Sequence, residues 1–318
     1  MTGTFASLVE DYIEMRRGLG YQLQGQARYL RNFAGYLDRR GHHGPVPLTA
    51  SVDWATSTSS PDPCNRARRL SVVRGLLRHL SALDGGTEIP PTGLLVPTSR
   101  RKPPHVYSEA EIAALLRAAS ALTPVGGLRP HCYATLFGLL ACTGLRISEA
   151  LALTVDDVDL VHGVLAVRAG KGGRTRLVPV HPSALEPLRA YATRRDQHRG
   201  VPASDEDAFF RTDNSGHLSY DAVSSTFCRI RQRLGWTAQG RTRTPRIHDL
   251  RHQMVVRRIQ LWQAQGADVD RKIAVLAAYL GHVVVSDVYW YLTAVPELMS
   301  IVADRFETYV TRPDAGAS

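Results

Sequence analysis

No stretch of this sequence carries the signature of a metal site, a disulfide framework, a nucleotide loop or a membrane span. The four cysteines, Cys64, Cys132, Cys142 and Cys228, are scattered without a C-x-x-C pair. That excludes a disulfide frame or cysteine zinc site and marks them as reduced, buried side chains of a cytoplasmic protein. No histidines are spaced H-E-x-x-H, no acidic cluster has magnesium spacing, and no Ser–His–Asp order is evident. Neither a metal nor a cofactor is therefore expected. Lys171 lies among glycines but lacks the G-x-x-x-x-G-K-[ST] spacing of a phosphate loop. The longest apolar run, around Cys132 to Leu145, is too short to cross a bilayer. Glu10, Asp11 and Glu14 stand where a signal peptide would need an apolar core.

What is present is positive charge. The 318 residues carry 39 Lys+Arg against 29 Asp+Glu, a formal net charge of +10, which favours a polyanionic partner. Residues 1–103 hold 14 basic against 8 acidic side chains, and the remainder 25 against 21. Both parts are basic, as expected if both touch one nucleic acid. The length suits two domains.

Phe5, Leu8, Val9, Tyr12 and Ile13 fall at helical spacing, as do Leu30, Phe33 and Leu37. Leu70, Val73, Leu76, Leu77 and Leu80 mark a third helix, decorated by Arg66, Arg68, Arg69, Arg74 and Arg78. That basic face either lies on phosphates, with Arg66 and Arg69 as candidates, or is simply solvated. Loops rich in Pro, Gly and Ser at Thr56–Pro63 and Asp84–Pro91 separate the helices. Residues 1–97 thus read as a small helical domain. Residues 98–106, with Arg100, Arg101 and Lys102 among prolines, read as a basic linker suited to a DNA backbone. Residues 107–318 read as a second domain, opened by the capping-box spacing of Ser108 and Glu111. Within it, Gly163–Val167 and Thr175–Val180 alternate and flank a Gly170–Arg174 turn, which predicts a β-hairpin. Helices are expected at about Ser183–Arg195, Tyr220–Leu234, His248–Gln265, Asp268–Leu280, Val285–Leu292 and Pro296–Tyr309. The fold class is mainly α: a helical N-terminal domain, then a mixed α/β, mostly helical domain with a small antiparallel sheet or hairpin.

Three constellations carry chemistry. Arg146 follows a glycine turn beside the most apolar helix, with Glu149 three residues on; it is either a structural ion pair at a helix start or an oriented cation. Lys171 at the hairpin turn is either solvated or a mobile cation inserted beside a phosphate. His248 and Arg251, three apart, share a helix face, and His282 and Tyr291 follow. An arginine can grip phosphate oxygens, a histidine can move a proton near neutral pH, and a phenol can serve as nucleophile.

Taken together, these residues resemble the tyrosine recombinases, the phage-integrase family of site-specific DNA recombinases. T-G-x-R-x-x-E is matched by Thr143 to Glu149, the hairpin lysine by Lys171, and H-x-x-R by His248 and Arg251. L-G-H is matched by Leu280-Gly281-His282, and the tyrosine nine residues later by Tyr291, with Tyr289 a lesser candidate. The match covers most of residues 105–310, more weakly the helical domain before it, and its style is that of transposase-type, element-borne members.

The resemblance implies a core-binding (SAM-like) N-terminal domain and DNA cleavage and religation through a 3′-phosphotyrosine. Tyr291 would be the nucleophile, Arg146 and Arg251 the phosphate clamp, and His248 the base. Lys171 would be the acid, His282 a phosphate donor, and Glu149 the support for Arg146. Arg66, Arg69, Arg100, Arg101, Lys102 and Arg174 would meet DNA. The expected partners are double-stranded DNA and, on it, three further copies in a homo-tetramer joined by exchange of the C-terminal helix. Val302, Phe306 and Val310 are candidates for that docking face. The expected location is cytoplasmic, at the nucleoid. Two alternatives remain: a type IB topoisomerase-like relaxase, or an architectural DNA-binding protein with an inactive core.

Overall fold

A computed structural model of the chain describes residues 4–60, 62–95, 102–168, 175–200, 203–213, 216–238 and 243–281. The chain divides into two compact units, Met1–Arg101 and Lys102–Ser318. The expected helices at Val285–Leu292 and Pro296–Tyr309 lie outside the described residues.

In the first unit, helices α1 (Phe5–Gly18), α2 (Gln24–Arg39), α3 (Leu48–Thr56) and α4 (Pro63–Asp84) enclose one apolar core. The expected stripes face inward: Phe5, Val9, Tyr12 and Ile13 from α1, Leu30, Phe33 and Leu37 from α2, and Leu70 to Leu80 from α4. Each fully buried Leu or Phe contributes about 1.5–3 kcal/mol. Local signals set the start of α4: the Asp62 carboxylate accepts from the Cys64 N–H at 2.9 Å, and Pro63 takes the first turn. Helix α3 is an addition to the sequence reading. It is nine residues long and opens at Pro47 without a side-chain cap. What holds it is burial of Trp54, whose indole N–H donates to Asn32 Oδ1 at 2.9 Å and whose ring packs on Phe33.

The second unit runs α5 (Glu109–Ser120), α6 (Leu128–Thr143), α7 (Ile147–Leu151), β1 (Val158–Asp159), β2 (Val164–Val167) and β3 (Arg176–Pro179). It continues with α8 (Pro182–Arg199), α9 (Tyr220–Arg233), α10 (Ile247–Ala264) and α11 (Val269–Leu280). The capping box at Ser108 and Glu111 forms as the spacing predicts. The sheet has order β1-β2-β3, antiparallel throughout, with Leu165 opposite Val178 and Val167 opposite Arg176. Helix α6 is the hub; α5, α8 and α10 pack around its buried Cys132, Leu136, Phe137 and Leu140. The last half of α10 forms a second cluster with α11, from Val255 and Ile259 to Ile273 and Leu280. Of the four free cysteines only Cys132 is fully buried; Cys142 is exposed, contrary to the expectation of buried thiols. Among the described residues no helix is long and apolar enough to cross a membrane.

Two glycines fix how these helices end. Gly144 and Gly281 close α6 and α11 in left-handed conformations, at φ +64° and +66°, where a Cβ is strained. A Cβ on Gly144 would also collide with the methyl of Met254 on α10. Gly144→Ala should therefore lower unfolding free energy by on the order of 1–3 kcal/mol, read by urea denaturation. Met254→Ala in that background should cost less than it does alone, and an unchanged midpoint for Gly144→Ala would mean that α10 yields freely there.

Candidate active site

Arg146 is the N-cap of α7, held in place by its own helix. The Glu149 carboxylate accepts from the Arg146 backbone N–H at 2.9 Å and from its guanidinium at 2.7 Å. Glu149 is buried, and it is shared. Arg176, reaching in from β3, donates to the same carboxylate at 2.8 and 3.2 Å. Burial alone would push the Glu149 carboxyl upward, but the bonds from Arg176 and Arg146 outweigh it and hold the pKa at about 2.

The start of α10 repeats this construction. Asp249, fully buried, accepts from the Arg246 N–H at 2.9 Å and from its guanidinium at 2.9 Å. The Arg246 carbonyl in turn accepts from the Tyr107 hydroxyl at 3.0 Å. This fixes the first turn of the helix that bears His248 and Arg251.

Arg251 is 1% exposed, and it donates to Gly144 O and to Leu280 O, each at 2.7 Å. Both acceptors belong to the carbonyl ends of helices, α6 and α11, where the backbone is electron-rich. One guanidinium thus joins the T-G-L-R turn, the H-x-x-R helix and the L-G-H helix end, across separations of 107 and 29 residues.

His248 has a side open to solvent, while its inner side is crowded by protein and stacks edge-on with His252 at 4.9 Å. The crowding, then the guanidinium ions of Arg251 and Arg246, hold its pKa down at about 4, against opposition from Asp249. The imidazole is therefore neutral at pH 7 with a lone pair to offer, while the same downward shift weakens it as a base.

Of the residues singled out from sequence, the structure brings Arg146, Glu149, His248 and Arg251 together. Lys171, Arg174, His282, Tyr291, Arg100 and Arg101 lie outside the described residues. Lys102 is exposed. In the first unit, Arg69 stacks over the Trp54 ring at 4.1 Å and donates to Trp54 O at 2.6 Å, so its guanidinium serves the unit's own packing; Arg66 is half-buried. Sequence reasoning missed Arg176, Arg246 with Asp249, and Tyr107. A usable signal existed for Arg176: it shares the inward face of β3 with Val178, two residues on, and a cation on a buried strand face needs a partner. Among the described residues no group of three or more His, Cys, Asp or Glu is placed to hold a metal.

Comparison with known proteins gives the family and the fold. The model of the phage integrase family matches residues 106–297. The putative integrase/recombinase y4rB of Sinorhizobium fredii is 38% identical over 307 residues, covering 96% of this chain and 97% of the relative. The tyrosine recombinase XerD of Brucella abortus is 29% identical over 315 residues, covering 93% and 96%. The fold is shared with the Tn1549 transposon integrase, solved in complex with transposon right end DNA. That match has a TM-score of 0.64 at 17% identity over 91% of this chain and 94% of that one.

The two shifted groups set an acid sensitivity. The His248 imidazole titrates at 6.5 when unperturbed and about 4 when folded, so between these values the unfolded chain binds the extra proton. Stability should fall as pH drops from 6.5 towards 4. Glu149, at 4.5 unperturbed and about 2 folded, extends the loss below 4.5 with the same sign. Denaturation midpoints measured against pH should show this slope, and His248→Gln should flatten its upper part; an unchanged slope between pH 6.5 and 4 in that variant would remove His248 as its source.

Proposed function

Since the chain belongs to the phage integrase family and is a site-specific tyrosine recombinase, we propose that the assembled arginine–histidine site cuts and rejoins DNA through Tyr291. The observation that carries this reading is the Arg251 fork, which draws the T-G-L-R, H-x-x-R and L-G-H segments to one point. Chemistry on a phosphodiester needs that convergence, because charge develops on the non-bridging oxygens and must meet fixed cations.

In this mechanism Tyr291 attacks the scissile phosphorus, forming a 3′-phosphotyrosine and breaking the bond to the 5′-oxygen. His248, neutral at pH 7, takes the phenolic proton. A free phenol, with a pKa of about 10, would otherwise stay protonated. Lys171, which lies between β2 and β3 in the sequence, protonates the departing 5′-oxygen. Arg146, Arg251 and His282 bind the non-bridging oxygens, with Glu149 aiming Arg146 from behind; Arg251, buried with both Nη groups on carbonyls, needs to be uncovered to take part. The phosphotyrosine conserves the energy of the broken linkage, so the reverse attack by a new 5′-hydroxyl reseals DNA without ATP.

The partner is double-stranded DNA, which the helical first unit and the catalytic unit each contact through basic side chains. Arg66, Arg69, Arg100, Arg101, Lys102 and Arg174 are the candidate backbone contacts, supported by the net charge of +10. Arg69 needs to leave its Trp54 seat to take part. Assembly as a homo-tetramer on DNA through exchange of the C-terminal helix, at the nucleoid, completes the reading.

Tyr291→Phe should abolish covalent attachment to a nicked duplex while retaining binding, and Arg146→Ala should slow attachment by about 10²–10³-fold. Both are read on denaturing gels. Covalent complex persisting in Tyr291→Phe would sink the assignment, and its loss in Tyr289→Phe instead would move the nucleophile.

A further inference from the structure

Arg176 is a cation that neither the family motifs nor the mechanism above employs, yet it joins three parts of the site. It stands at the base of the β2–β3 hairpin, five residues after Lys171. Its side chain is 13% exposed. Two of its nitrogens hold Glu149, at 2.8 and 3.2 Å, and its Nε donates to the Tyr279 carbonyl at 2.8 Å. Its guanidinium also lies against Gly281, where an added Cβ would come within 2.7 Å of Nη1 and 3.0 Å of Cζ. The glycine of the L-G-H motif is thus required twice, by its φ of +66° and by this close approach.

We propose that Arg176 is a positioning residue for the recombination reaction, locking the hairpin base, the Arg146-bearing turn and the end of α11 into one frame. The inference rests on the recombinase reading of the site. The fork geometry is what does this. A planar guanidinium can meet a carboxylate with two nitrogens and still offer its third to a carbonyl on another element. Glu149 is the relay. Its two oxygens are shared between Arg176 and Arg146, so the position of one guanidinium constrains the other. On the opposite side, the bond to Tyr279 O fixes the last turn of α11, two residues before Gly281 and three before His282. Arg176 itself acts on the phosphate only through these neighbours.

Removing the fork has a signature that loss of stability does not. With Arg176 neutralised, Glu149 keeps Arg146 as its sole guanidinium partner among the bonds described, and its carboxyl moves back towards the ordinary range. Protonating Glu149 then releases Arg146 at a pH where the wild-type carboxylate stays ionised. Cleavage by Arg176→Gln should therefore lose rate on the acid side earlier than wild type, in addition to a lower plateau.

The test is single-turnover covalent attachment to a nicked duplex built from the DNA flanking the coding sequence, followed from pH 5 to 8 with binding and folded fraction measured in parallel. At equal folded fraction and with DNA binding within about threefold, Arg176→Gln should attach roughly 10–100-fold more slowly, the range typical for losing a group that orients another. Its acid limb should also move upward. Arg176→Lys, which keeps the charge without the fork, should recover part of the rate and most of the wild-type acid limb, and it carries the test if the Gln variant does not fold. Gly281→Ala should slow attachment as well, and combined with Arg176→Gln should add little to the slower single variant. Wild-type rate in Arg176→Gln, or in Arg176→Lys where the Gln variant is unfolded, overturns the inference; so does a rate loss that scales only with unfolded fraction. If wild type itself forms no covalent complex, the recombinase reading of the site fails instead.

Discussion

The site depends on a buried cation held by backbone. Arg251 is taken almost entirely out of water, which is costly for an ion unless its donors are satisfied. The protein meets that cost with the carbonyl ends of two helices, at Gly144 and Leu280. Each carbonyl faces inward because its helix ends at a left-handed glycine, so the chain turns away and leaves the terminal oxygens pointing at the guanidinium. A packing solution and a catalytic one coincide here. The fork that makes Arg251 tolerable inside the domain also ties the Arg146-bearing turn and the end of α11 to the helix that carries His248.

Around that fork the charges are graded. Glu149 and Asp249 are buried carboxylates, each bound to arginine, and Glu149 stays ionised far below neutrality. His248, by contrast, is kept neutral by crowding and by cations. A site so arranged is positive with one unprotonated imidazole at its open side, which suits an incoming phosphodiester anion and a phenol that must lose its proton.

Much of this was legible in the sequence where the requirement was local. The H-x-x-R spacing sets two side chains on one helix face, and Ser108 with Glu111 announces the start of α5. The hairpin showed in its alternation and its glycine turn. What could not be read was which partners a residue finds far along the chain. Arg176 meets Glu149 and Tyr279 at separations of 27 and 103 residues, and α3 exists because Trp54 finds Asn32 and Phe33. Arg69, expected on a basic face, turns inward for the same reason: its indole partner lies on another helix.

Arginine at the N-cap of both α7 and α10 has an electrostatic consequence. The start of a helix carries the positive end of its dipole, the wrong place for a cation. Each of these helices therefore begins by holding a like charge against its own positive pole, and it can do so because an acid in its first turn lies between the two. Glu149 and Asp249 work as spacers as much as partners, letting positive side chains crowd toward one point without driving the helix starts apart.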